Sequence, residues 1–259
     1  MNQYKYLFAG FLALGCLAGM AQAEDLFSDD FESGNLSKWS INTTDISVTS
    51  SSLPFGASNQ SVFYNDDGTV NSGGDFLFKD LPAIDGIGTI MSFDYYEPDD
   101  GNSADLNLGY TATTDLNNID TAGWWLKLND GAITFFSGEV AAGTKTYSLD
   151  TAYRVYVVVN DTASAFSYSA PAGDAQNIAS GEFDVYFQDL STLTVTYAGT
   201  GVNDNTDAVS RFGFRNFNTG NQVVYLDNVV ISTIPEPAQF ALLFGGLALI
   251  LGVMRRRKA

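Results

Sequence analysis

Between Glu24 and Ile234 the chain is written almost wholly in period two. Apolar and polar residues alternate over 88–96, 104–111, 124–128, 133–136, 153–160, 165–169, 182–187, 192–197, 209–214 and 223–232. Residues two apart share a face of a strand, so each run has one side to bury and one to show. The runs are short, rich in β-branched and aromatic residues, and bounded by Gly, Asn, Asp or Ser. Asp67-Gly68, Asp100-Gly101 and Asp130-Gly131 supply turns in which the backbone takes positive φ. No stretch of this region has a helical period. About a dozen strands with faces to bury predict an all-β fold, an antiparallel jelly-roll β-sandwich. Neither a proline-rich linker nor an internal repeat divides it, which predicts one domain over 24–233.

Charge removes several functions. The 259 residues include 30 acidic and 12 basic side chains and no histidine, for a net charge of −18. Within the sandwich the basic residues are Lys38, Lys79, Lys127, Lys145, Arg154, Arg211 and Arg215, without a basic stripe, which excludes a nucleic-acid partner. Without histidine there is no histidine-based triad, His-rich zinc site or histidine-ligated haem. The serines lie in no recognisable nucleophile motif, and the glycines form neither a phosphate-cradling loop nor a dinucleotide fingerprint.

Both ends read as targeting segments. Residues 1–23 place Lys5 before an apolar run and finish on Ala21-Gln22-Ala23, the layout of a secretory signal peptide. The alternative is a lipidated Cys16, preceded by Leu12-Ala13-Leu14-Gly15. Cleavage after Ala23 leaves a mature chain without cysteine, so its stability cannot come from disulfides. Over 234–259, Pro235-Glu236-Pro237 precedes an apolar run from Ala238 to Met254 and then Arg255, Arg256, Arg257 and Lys258. A single transmembrane helix over about 238–254 is at the short limit for a hydrocarbon core of roughly 30 Å, and the basic cluster sets its end in the cytoplasm. Tripeptide, apolar span and Arg-rich end together resemble the PEP-CTERM sorting signal of Gram-negative bacteria. That resemblance implies an exosortase-type membrane enzyme as partner, removal of the tail, and delivery to the cell surface or exopolysaccharide matrix.

Two further resemblances concern the domain. Asp29-Asp30-Phe31-Glu32-Ser33-Gly34 followed by Trp39, and Leu226-Asp227-Asn228-Val229 near the end, are similar to the first and last strands of concanavalin A-like and carbohydrate-binding-module jelly rolls. This implies paired terminal strands and a structural calcium ion near Asp29, Asp30, Glu32 and Asp227, the alternative being that these carboxylates solvate a sheet edge. Asn203-x-Asn205-x-Asp207 has only partial calcium-loop spacing. Glu182-Phe183-Asp184 resembles the start of the Glu-x-Asp-x-x-Glu strand of laminarinase-type glycoside hydrolases, but Phe187 stands where the acid/base carboxyl belongs.

Alternation also sorts the faces. If Phe93, Tyr95, Leu106, Leu108, Leu126, Leu128, Val155, Val157, Phe212 and Phe214 point inward, then Asp94, Tyr96, Asp105, Asn107, Trp125, Lys127, Arg154, Tyr156, Arg211 and Arg215 point outward. Aromatic plates mixed with planar hydrogen-bonding groups suit a sugar, whose C–H faces stack while its hydroxyls pair. The expectation is an exported, non-enzymatic polysaccharide-binding protein. A glycan hydrolase or lyase on the same fold and a ligand-free structural matrix protein are the alternatives.

Overall fold

The alternating runs become two antiparallel sheets closed on one apolar layer. The computed structural model describes residues 23–41, 43, 45–50, 54–56, 58–66, 75–82, 84, 86–101, 105–111, 122–137, 140–202, 210–216 and 222–234. Strands are numbered β1 to β17 in chain order. Sheet A has the order β15 (Val195–Val202), β14 (Glu182–Asp189), β11 (Tyr153–Asn160), β6 (Gly88–Tyr96), β17 (Gln222–Thr233), β4 (Gln60–Asp66) and β3 (Ile46–Ser50). Its last strand, β17, also pairs with β1 (Asp25–Asp29). Sheet B has the order β10 (Val140–Thr146), β9 (Ala132–Ser137), β8 (Ala122–Asn129), β7 (Leu106–Thr111), β16 (Arg211–Asn216), β5 (Asp75–Asp80) and β2 (Ser40–Ile41). A separate hairpin joins β12 (Phe166–Ser169) to β13 (Ala175–Ile178).

Asp25–Thr233 is one compact unit. All ten residues that alternation turns inward lie in the core, with partners from both sheets. The Asp130-Gly131 turn joins β8 to β9 with φ of 46° and 72°, as its sequence predicts. The expected signal peptide through residue 22, the expected turn at Asp67-Gly68, the Asn203-to-Asp207 segment and the expected sorting segment from Pro235 onward lie outside the described residues. Among the described residues, no helix is long and apolar enough to cross a membrane.

The N-terminal motif serves the core. Trp39 packs against Phe27 at 4.9 Å between ring centres and against Phe31 at 6.0 Å, with Phe212 and Phe214 beyond. Its indole N–H donates to Asp29 Oδ2 at 2.8 Å, which satisfies both polar groups where neither reaches water. Asp29 follows Phe27 by two residues, so both point inward.

Strand β15 starts at Val195, three residues later than its alternation suggests. Asp189 Oδ1 accepts the N–H groups of Ser191 and Thr192, and Leu193 takes φ of 59°, so 189–194 forms the turn instead. Further along β15 the backbone runs close to the core, where a Cβ on Gly201 would lie 2.1 Å from the Phe183 ring. Gly201→Ala should therefore cost about 2 kcal/mol through overpacking, read as a lower urea midpoint. Equal midpoints would show that the Phe183 ring can move aside.

Candidate functional site

The ten outward-pointing residues do not form one surface. None is in the core, but they divide between the outer faces of the two sheets. Asp105, Asn107, Trp125, Lys127, Arg211 and Arg215 belong to sheet B or its margin, with Arg215, Asn107 and Lys127 in register across β16, β7 and β8. Lys127 pairs with Asp105 at 2.6 Å, and Arg211 pairs with Asp80 at 2.7 Å while lying 4.2 Å over the Phe78 ring. Asn107, Trp125, Arg211 and Arg215 are all buried, so this face offers little free side chain.

The outer face of sheet A is organised in rows that run across the strands. In the first, Tyr96, Tyr225 and Phe63 stand side by side on β6, β17 and β4, with ring centres 6.0 and 5.1 Å apart. The second is polar: Gln188, Arg154, Asp94 and Asp227 on β14, β11, β6 and β17. A third is aromatic again, with Tyr197, Tyr186 and Tyr156 on β15, β14 and β11. Tyr197 is 53% exposed, and its ring centre is 5.2 Å from that of Tyr186.

Hydrogen bonds hold these side chains in place. Arg154 forks onto Asp94, Nε to Oδ1 at 2.6 Å and Nη2 to Oδ2 at 2.8 Å, and this pairing raises the pKa of the guanidinium. Asp94 Oδ2 also accepts the Asn228 amide at 2.8 Å. The Tyr156 hydroxyl donates to Gln188 Oε1 at 3.0 Å, and that of Tyr96 to Asp150 Oδ1 at 3.1 Å.

A fourth row, Thr200, Asp184 and Val158, lies beneath the β12–β13 hairpin. Tyr168 of that hairpin donates to Asp184 Oδ2 at 2.6 Å and lies 2.5 Å from the Tyr186 hydroxyl. Thr200 and Tyr197 donate to Asp184 Oδ1, and the Asn160 amide reaches the Ile178 carbonyl at 3.1 Å. Burial and the Asp184 carboxylate drive the Tyr168 phenol far up in pKa, so it stays a donor. Val158, Tyr168, Ala170, Ile178 and Tyr186 are buried outside the main core, a small second layer between hairpin and sheet. Glu182 accepts the Ala179 N–H at 3.1 Å, and Phe187 points into the core.

Each of the four carboxylates expected around calcium accepts hydrogen bonds from within the protein, and Glu32 lies near enough to Asp227 to interact with it. Strands β1 and β17 do pair, Asp29 opposite Val229, but Asp29 takes the Trp39 indole and the Lys38 ammonium, the latter at 3.1 Å. Asp30 accepts the Glu32 N–H at 3.3 Å, and Glu32 that of Gln60 at 2.9 Å. Both oxygens of Asp227 accept amide N–H groups, from Asn59 at 2.7 Å and from Asn228. Among the described residues, no group of three or more Asp, Glu, His or Cys side chains is placed to hold a metal ion.

Period-two reasoning did not single out Gln188, Tyr186, Tyr197, Tyr225, Phe63 or Asn228. The first five carry the outward parity of their strands, and their partners across the sheet are what make them a surface. Glu97, also unnoticed, is buried and accepts from Tyr95 at 2.9 Å, from Tyr147, and from the Asp130 N–H at 3.1 Å, a tie at one end of the sandwich.

No protein-family model and no curated protein matches the chain. Solved structures do. The carbohydrate esterase of Shiga toxin-encoding bacteriophage phi24B aligns with a TM-score of 0.52 at 9% identity, over 82% of this chain and 99% of its own. Lectin UEA-II, solved with galactose, gives 0.52 at 9% identity over 83% and 99%. Basic winged bean lectin, solved with Tn-antigen, gives 0.50 at 8% identity over 82% and 99%. The fold is thus the antiparallel β-sandwich that these structures share.

Burial raises the pKa of Asp227 to about 6, against the hydrogen bonds from Asn59 and Asn228, with Asp94 and Glu32 adding to the rise. In the unfolded chain it titrates near the ordinary value of about 3.9. Between those values the folded state keeps a proton that the unfolded state has lost, so this group's contribution to stability falls as pH rises from 4 through 6. Asp227→Asn does not titrate. The melting temperature of the parent should therefore drop relative to that variant by a few degrees between pH 4 and pH 7. A difference that stays constant with pH would contradict the burial effect.

Proposed function

We propose that this protein is an exported, non-enzymatic glycan-binding protein whose ligand lies across the outer face of sheet A. The observation that carries this reading is the layering of that face, with a polar row between two aromatic rows, each side chain held by its neighbours. Sugar rings stack their C–H faces on aromatic plates, and their hydroxyls pair with planar groups such as the Gln188 amide and the Arg154–Asp94 pair. Fixed side chains lose little entropy on binding. The lectins that share the fold were solved with galactose and with Tn-antigen, which is consistent with a glycan here.

The esterase among the structural neighbours keeps glycan chemistry in view. Against an enzyme of the laminarinase kind stand the core position of Phe187 and the three hydroxyls that Asp184 accepts. A nucleophile or general base needs an accessible oxygen. On this reading the signal peptide exports the chain. The Pro235-Glu236-Pro237 segment and its apolar and basic tail hold it in the membrane until an exosortase-type enzyme releases it to the cell surface or exopolysaccharide matrix.

Titration calorimetry of the full chain against exopolysaccharide purified from the producing cells should give saturable heat. Tyr156→Ala should weaken binding about tenfold, or about 1.4 kcal/mol, with an unchanged melting temperature. Sustained heat after mixing would indicate turnover and favour the enzyme, whereas no heat would leave a structural matrix role. Replacing Pro235, Glu236 and Pro237 with alanine should leave the protein in the membrane fraction, and unchanged release would remove the sorting role.

A further inference from the structure

We infer that the glycan recognised on the outer face of sheet A is uncharged, a neutral hexose polymer rather than a uronate or sulfated chain. This rests on the glycan-binding reading and adds the ligand's chemical class. It is argued from how the fold distributes charge.

Among the described strands, sheet B carries Lys79, Lys127, Lys145, Arg211 and Arg215, whereas sheet A carries one basic residue, Arg154. Both Nε and Nη2 of Arg154 are committed to Asp94, so its charge is matched where it stands. On the same face lie Asp184, Asp227 and Glu182, for which sheet A has no further cation. A carboxylate or sulfate laid along the polar row would meet no unpaired cation on the described strands of this sheet, inside a chain of net charge −18. Hydroxyl groups carry no charge to be repelled, and the half-buried Gln188 and Arg154 of the polar row are planar groups they can pair with. On sheet B, Lys127 and Arg211 already pair with Asp105 and Asp80, and both arginines of β16 are buried.

The hairpin sets the direction of the ligand. By covering Asp184 and Val158, β12–β13 closes one side of the face and leaves Gln188 and Arg154 of the polar row half-buried between Tyr156 and Tyr197 on one flank and Tyr96 and Tyr225 on the other, with Asp94 and Asp227 buried beneath. A chain bound there crosses the strands. Its sugar above β15 meets the exposed Tyr197 ring.

The test uses the full chain in mild detergent and EDTA, titrated with laminarin, dextran and galactomannan as neutral probes and with alginate and polygalacturonate as anionic ones. At least one neutral probe should bind, with an affinity that changes less than about twofold between 50 and 500 mM salt. The anionic probes should bind at least about tenfold more weakly. Tyr197→Ala should weaken the neutral probe about tenfold and Tyr197→Phe less than about threefold, with melting temperatures showing that both variants fold. Anionic probes binding as tightly as neutral ones, or a neutral affinity indifferent to Tyr197→Ala, would overturn the inference while the glycan reading stands. If no probe of either class bound and the producer's own exopolysaccharide were also silent, the glycan reading itself would fall and this inference with it.

Discussion

Sheet A cannot be completed until the last strand of the domain is in place. Strand β17 lies between β6 and β4 and also carries β1, so its three neighbours all come from the first hundred residues. Such long-range pairing makes a high-contact-order fold, slow to assemble because loop closure precedes the contacts that stabilise it. Within β17 one irregularity decides the outcome. Val224 and Leu226 point inward, and strict alternation would turn Val229 and Ile231 outward. The bulge at Asn228, with φ of 48°, inserts one residue and returns both to the core.

That bulge also builds the outer face. Asn228 projects its amide between Asp94 and Asp227, bonding the first at 2.8 Å and the second at 3.2 Å. Two carboxylates on neighbouring strands would otherwise repel each other, and they share the amide hydrogens of Asn228, with Arg154 closing the other side of Asp94. Burial of Asp227 is therefore only partly compensated, which is why its pKa stays raised despite three N–H donors. The polar row is stiff for the same reason, since each member is held by the next.

Much of this was legible in the sequence, and the limits have physical causes. Strands β6 and β11 coincide with their alternating runs, and ten of ten assigned core residues are in the core, because a buried face leaves no freedom in parity. Strands β2 to β5, β10 and β13 escaped notice. The Val-Ala-Ala-Gly stretch of β10 and the polar β13 carry little amphipathic signal, being at an edge and on the surface. At β15 the residues Thr192 and Leu193 mimic a strand start, but the Asp189 side chain accepts the Thr192 N–H and its carbonyl the Leu193 N–H, which bends them into a turn. Asp29 shares the inward parity of Phe27, which points it toward the core and Trp39. What alternation cannot supply is which sheet a strand joins. The outward-pointing residues consequently looked like one surface, although pairing order places them on two.

The same order explains how one scaffold can serve lectins and a carbohydrate esterase while leaving function to a few side chains. In this chain the decisive local element is the β12–β13 hairpin. It adds no strand to either sheet, yet it lays Tyr168 against Asp184, two residues along β14 from Glu182, and covers the row in which Asp184 stands. An aspartate that accepts from Tyr168, Tyr197 and Thr200 is a fixed acceptor whose hydrogen bonds orient the exposed Tyr197 ring at the edge of the open face. The carboxylate that looked like half of a catalytic pair is, in this geometry, the support for an aromatic plate.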